Sequence, residues 1–182
     1  MIRQMHHLSM MVLLAAGTML VGCTGPHGDV REGVAVLHPT KGHDVRGVVR
    51  FIEQDKGVRV VADVGGLKAN LKHGFHVHEY GDCTAPDATS AGGHYDPDDT
   101  GHHAMLNARE PHHAGDLGNL QADAQGRARY DAVVYNLSVL GTDNPVVGRA
   151  VIVHAKPDDG GQPTGNAGPR AACGVVGIAE PK

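Results

Sequence analysis

Gly74-Phe75-His76-Val77-His78-Glu79-Tyr80-Gly81-Asp82-Cys83 opens on a short apolar run in which two histidines stand two residues apart. Side chains of a strand alternate between its faces, so His76 and His78 project together and can grip one cation between them. The segment therefore reads as a strand carrying a pair of metal ligands. Working outward, the same strand period recurs in Val34-Ala35-Val36-Leu37, Val45 to Phe51, Val58 to Val64, Leu117 to Ala122, Ala128 to Val134, Ala150 to His154 and Cys173 to Ala179. Asp55-Lys56-Gly57, Gly65-Gly66 and Asp123-Ala124-Gln125-Gly126 supply turns between them, and no helical stripe of useful length interrupts the series. The expected fold is all-β: an eight-stranded antiparallel Greek-key sandwich or barrel.

The 182 residues include 14 histidines, and many fall in the stretch from His73 to His113 among glycines and acids. A lone histidine is ordinarily a solvated or satisfied polar group, but this density is the composition of loops that hold metal. Two stretches, Glu79 to Asp116 and Ala155 to Ala172, lack strand character and are too long to be idle connections. Both are rich in Gly, Pro and Asp, so metal coordination and a disulfide are expected to order them. With no tryptophan and two phenylalanines, the core must be built from Val, Leu, Ile and Ala.

The N-terminus reads as an export leader. Arg3 gives a positive start, no acid precedes Asp29, and the apolar run from Leu8 to Val21 is too short for a membrane span. Leu20-Val21-Gly22-Cys23 resembles the lipobox of bacterial lipoproteins, which implies cleavage after residue 22 and lipid on Cys23. Thr24 in the next position favours the outer membrane among envelope destinations. The expected layout is a leader over 1–22, a lipidated tether over 23–32 and one domain over 33–182. Cys83 and Cys173 then remain as an even pair in an oxidising compartment, expected to form one disulfide.

Gly74-Phe75-His76-Val77-His78-Glu79, Gly92-Gly93-His94-Tyr95-Asp96-Pro97, His113-Ala114-Gly115-Asp116-Leu117, Val153-His154 and Gly165-Asn166-Ala167-Gly168-Pro169-Arg170-Ala171-Ala172-Cys173-Gly174-Val175 together resemble the copper/zinc superoxide dismutases, in their exported bacterial form. The resemblance spans nearly the whole chain after the leader. It implies copper on His76, His78, His94 and His154, and zinc on His94, His103, His113 and Asp116, with His94 shared. Imidazole donors suit cupric copper and zinc, and a carboxylate beside imidazoles suits a closed, redox-inert zinc site. His102 adjoins His103, and Thr100-Gly101 before them favours His103 by the bacterial spacing. His113 is preferred to His112 because it stands three residues before Asp116. Asp158 takes the place of an aspartate bonded to one copper and one zinc histidine, and Arg170 that of an active-site arginine.

The implied reaction is dismutation of superoxide to dioxygen and hydrogen peroxide, with His94 and Arg170 as catalytic residues, protecting the cell envelope. The net charge of -4 becomes -5 when Arg3 leaves with the leader, so an anionic substrate needs a local positive funnel at Arg170, helped by Lys156. The rival reading is a copper/zinc carrier on the same fold without turnover; no Cys-x-Cys or Cys-x-x-Cys transfer motif supports it. His27, His38 and His43 are spaced irregularly and read as solvated surface. Nothing points to nucleic acid. The implied partners are superoxide and a membrane reached through Cys23, and the oligomeric state, a homodimer included, stays open.

Overall fold

A computed structural model describes residues 30–180. The expected leader over 1–22 and the expected lipid site Cys23 lie outside the described residues. Eight strands follow in chain order: β1 (Glu32–Pro39), β2 (Arg46–Glu53), β3 (Val58–Gly65), β4 (Lys72–His78), β5 (Asp116–Gln121), β6 (Ala128–Val134), β7 (Ala150–His154) and β8 (Arg170–Ile178). The only helical element among the described residues is a 3₁₀ turn at Thr89–Ala91. β1 starts at Glu32, so the last residue of the expected tether already belongs to the sheet.

All strand pairs are antiparallel, in the order β5-β4-β7-β8-β1-β2-β3-β6. β3 shows why these sequences fold so: Val58, Val60, Ala62 and Val64 are buried while Arg59 and Asp63 face water. β7 is buried at every position because Val151 and Val153 face the main core while Ala150 and Ile152 pack on the other face with Ala88, Ala91 and Cys173. Phe51, Phe75, Leu37, Leu117 and Leu120 fill the interior together with valines. The edge strands β5 and β6 meet through Tyr130, whose ring stands edge-on to Phe75 at 5.2 Å and whose hydroxyl donates to Leu117 O at 2.8 Å. The sheet thereby becomes a nearly closed barrel.

Three local findings differ from the sequence reading. β4 begins at Lys72, because residues 72–74 pair with Gln121, Leu120 and Asn119 of β5. β8 begins at Arg170 rather than Cys173: Ala171 and Ala172 are small enough to be buried against β7, and they bring Arg170 opposite His154 across a bulge. A third long connection, residues 135–149, joins the two expected ones and tucks Leu137, Val139 and Val146 into the core. Cys83 and Cys173 form a disulfide with Cα atoms 5.8 Å apart, fastening the loop after β4 to β8.

Candidate metal centre

β4 delivers His76 and His78, and the end of β7 delivers His154. A one-residue ladder pairs His94 with His78, drawing the following loop over the strand end. His76, His78, His94 and His154 are all buried, with potential ligand atoms within 4.8 Å of one another. A second group, His76, His94, His103 and Asp116, satisfies the same limit and shares His76 and His94 with the first.

Hydrogen bonds decide which nitrogen of each ring is available. His76 Nε2 bonds Asp158 Oδ2 at 3.0 Å, His78 Nδ1 bonds Gly92 O at 3.0 Å, and His154 Nδ1 bonds Gly168 O at 3.0 Å. Each acceptor fixes a proton on that nitrogen, leaving a lone pair on His76 Nδ1, His78 Nε2 and His154 Nε2. Those three atoms are buried and have no hydrogen-bond partner. Buried polar atoms are rarely left so, and their convergence is that of donors awaiting a cation.

His94 turns Nδ1 to Asp116 Oδ1 at 2.8 Å, which leaves Nε2 for the first group. On the far side of His94, His103 Nε2 bonds Asp158 Oδ1 at 2.9 Å. His103 Nδ1 lies 2.9 Å from Asp116 Oδ1 but off the direction of a hydrogen bond, and is itself unpartnered. His113 Nδ1 is the fifth buried unpartnered nitrogen, 3.4 Å from Asp116 Oδ1. Since His76 Nε2 is already committed to Asp158, His113 is the better fourth donor for an ion beside Asp116. Their neighbours differ: His102 is exposed, and His112 is half-buried with Nδ1 on Glu110 O.

Charge divides the two sides. Burial pushes His94 down to about 4 and His154 down to about 3, with neighbouring histidines adding to the shift. Burial also lowers His76, and lowers His78 further. For His103 burial works the same way, but the close carboxylates of Asp116 and Asp158 outweigh it and raise the ring to about 9. Burial would lift both carboxyls, yet the bonded histidines hold Asp116 and Asp158 well below the usual carboxylate range.

Arg170 is half-buried, and its guanidinium donates to Ala88 O and Gly92 O. Gly92 O also accepts the His78 bond, so the arginine and a histidine of the first group share one anchor. Thr40 Oγ1 fixes the Arg170 backbone by donating to its carbonyl at 2.6 Å. Lys156 is exposed, and its stem runs past Gly168. Asp158 is held from β5, where Asn119 Oδ1 accepts from its N–H and Asn119 Nδ2 donates to its carbonyl, both at 2.9 Å. Gly165 packs so closely there that a Cβ would lie 2.3 Å from Asp158 Oδ1, and its φ of +74° also favours glycine. Asn119, Thr40 and the Gly92 carbonyl were absent from the sequence reading; an asparagine inside an apolar strand was the one signal available.

The five unpartnered nitrogens, with His94 and Asp116, fit one ion among imidazoles and another among imidazoles and a carboxylate. The profile of the copper/zinc superoxide dismutase family matches residues 45–176. The chain belongs to the copper/zinc superoxide dismutase family. It is similar to the Cu-Zn superoxide dismutase of Paramecium bursaria Chlorella virus 1, 44% identical over 75% of this chain and 74% of the relative. The Cu-Zn superoxide dismutase of Schizosaccharomyces pombe is 43% identical over 81% of this chain and 98% of the relative. Among solved structures, that of the clock protein EA4 superposes with a TM-score of 0.74 at 37% identity, covering 84% of this chain and 99% of its own. This copper/zinc superoxide dismutase is thus an oxidoreductase whose histidine and aspartate clusters suit copper and zinc.

Proposed function

We propose that this superoxide dismutase works through copper held by His76, His78, His94 and His154, joined through His94 to zinc held by His94, His103, His113 and Asp116. The observation that carries this reading is the set of five buried, unpartnered ring nitrogens grouped on either side of His94. Bound copper supplies one-electron chemistry, one superoxide giving up an electron to become dioxygen and a second taking it, with two protons, to become hydrogen peroxide, while zinc supplies a fixed, redox-inert charge.

The chain's own residues do the rest. Gly92 O, Gly168 O and Asp158 hold three rings so that their lone pairs converge without reorganisation. His94 Nε2 can carry a proton toward the reduced product while Nδ1 stays on the Asp116 side. Arg170 places a cation near His78 and His154, and both rings feel its charge. That cation draws an anion to a protein whose net charge repels it.

Metal analysis paired with superoxide decay tests the function. Activity should track copper content, and full activity in copper-free protein would overturn the reading.

We further propose that the enzyme protects the cell envelope, exported by its leader and anchored through lipid on Cys23. The apolar run ending in Leu20-Val21-Gly22-Cys23 supports this. Mass spectrometry of the native N-terminus should find acylated Cys23, and Cys23→Ser should abolish both lipid and membrane association. An unmodified N-terminus elsewhere would refute the anchor.

A further inference from the structure

Gln162 is exposed on the loop between β7 and β8, where a glutamine ordinarily hydrogen-bonds water. Instead both atoms of its amide engage a single residue: Oε1 accepts from His103 N–H at 3.0 Å, and Nε2 donates to His103 O at 2.7 Å. Reversing the amide would set donor against donor at one contact and acceptor against acceptor at the other, so its orientation is fixed. The same loop holds the His103 ring through Asp158. His103 is therefore gripped at backbone and side chain by residues 158–162. That segment closes on itself through Gly165 N–H to Gly161 O at 2.6 Å and Asp159 N–H to Gly165 O at 2.9 Å. A cleft of about 550 Å³, lined by His102, His103, Ala104, Glu110, Pro111 and Gln162, opens beside the clamp.

We infer that Gln162 is a positioning residue that couples zinc occupancy to the order of the loop leading into Arg170. The inference rests on His103 as a zinc residue. Zinc on His103 Nδ1 immobilises the His103 backbone, which holds Gln162 and through it residues 158–166. By reciprocity, the same two bonds tighten zinc binding.

The test uses the copper-loaded protein and two variants, Gln162→Ala and Gln162→Met, the second keeping the length of the side chain without its amide. Zinc affinity is measured by competition with a chromophoric chelator, and hydrogen exchange of residues 158–166 is followed with and without zinc. In both variants the zinc Kd should rise about tenfold, zinc-dependent protection of the loop should shrink, and copper affinity should stay unchanged. Cobalt(II) placed on the zinc side should show altered visible bands. Wild-type zinc binding with both variants within twofold in Kd and equally protected by zinc would overturn the clamp alone. Failure of the wild-type protein to bind zinc would overturn the assignment of His103, and the inference with it.

Discussion

The two sides of His94 are built differently. His76, His78 and His154 rise from β4 and β7, adjacent strands locked by Phe75, Val77 and Val153, and two of their rings are steered by backbone carbonyls. His103 and His113 come from a stretch without strands, and only Asp116 on that side lies in the sheet. Burial keeps the first set neutral, whereas His103 is raised by two carboxylates. Packing thus prepares the proposed copper side before any ion arrives, while charge prepares the proposed zinc side and leaves more for the ion to organise.

The largest effect expected from this contrast is at His154. His154→Ala should remove a copper donor without disturbing the loops, lowering activity by more than about a hundredfold, beyond the usual loss from outer partners of a metal, with zinc retained. Metal content and turnover check it, and normal turnover with full copper would break the division. Asp116→Ala is the mirror image. Zinc affinity should fall by more than about a hundredfold while copper stays, and the zinc-depleted protein should lose protection from exchange over 101–115.

Arg170 joins the two regions, since its carbonyl anchors hold the His94 loop and its chain position ends the other loop. Arg170→Glu should slow turnover at least about tenfold and reverse the salt dependence. Wild-type rate should fall as ionic strength rises, because screening over about 8–10 Å weakens the local attraction. If salt accelerates the wild type and the variant matches it, the net negative charge controls encounter instead.

Acidity gives the smallest effect and the sharpest contrast. His94 at about 4 and His154 at about 3 are already unprotonated at pH 5, so copper affinity should be nearly flat from there to pH 8. His103 at about 9 must release a proton to zinc, so zinc affinity should climb by up to about tenfold per pH unit between about 6.5 and 9. In zinc-free protein the raised His103 contributes stability that is fully present below its unfolded value of about 6.5 and lost as pH rises through about 9. The melting-temperature gain on adding zinc should therefore widen with pH, and calorimetry at several pH values reads it.

Much of this was legible in the sequence because alternation leaves a trace. The Val-rich or alternating runs marked all eight strands, and the spacing of His76 and His78 marked one face of β4. The start of β8 was not legible, since Ala171 and Ala172 carry little strand preference and are in the sheet only because small side chains fit against β7. Residues 135–149 gave no strand signal, and their role comes from Leu137, Val139 and Val146 finding the core. The amide clamps of Asn119 on Asp158 and Gln162 on His103 were invisible for another reason: a two-point bond to a backbone 39 or 59 residues away follows no sequence period. The unpartnered nitrogens belong to the same class, because which ring atom is free depends on carbonyls that only the fold positions.

Anomalous diffraction at the copper and zinc absorption edges, from crystals of the protein loaded with both metals, tests the central claim most directly. The account predicts copper on His76 Nδ1, His78 Nε2, His154 Nε2 and His94 Nε2, and zinc on His94 Nδ1, His103 Nδ1, His113 Nδ1 and an Asp116 oxygen. Copper and zinc mixed at one position, or a His94 ring touching only one ion, would contradict it.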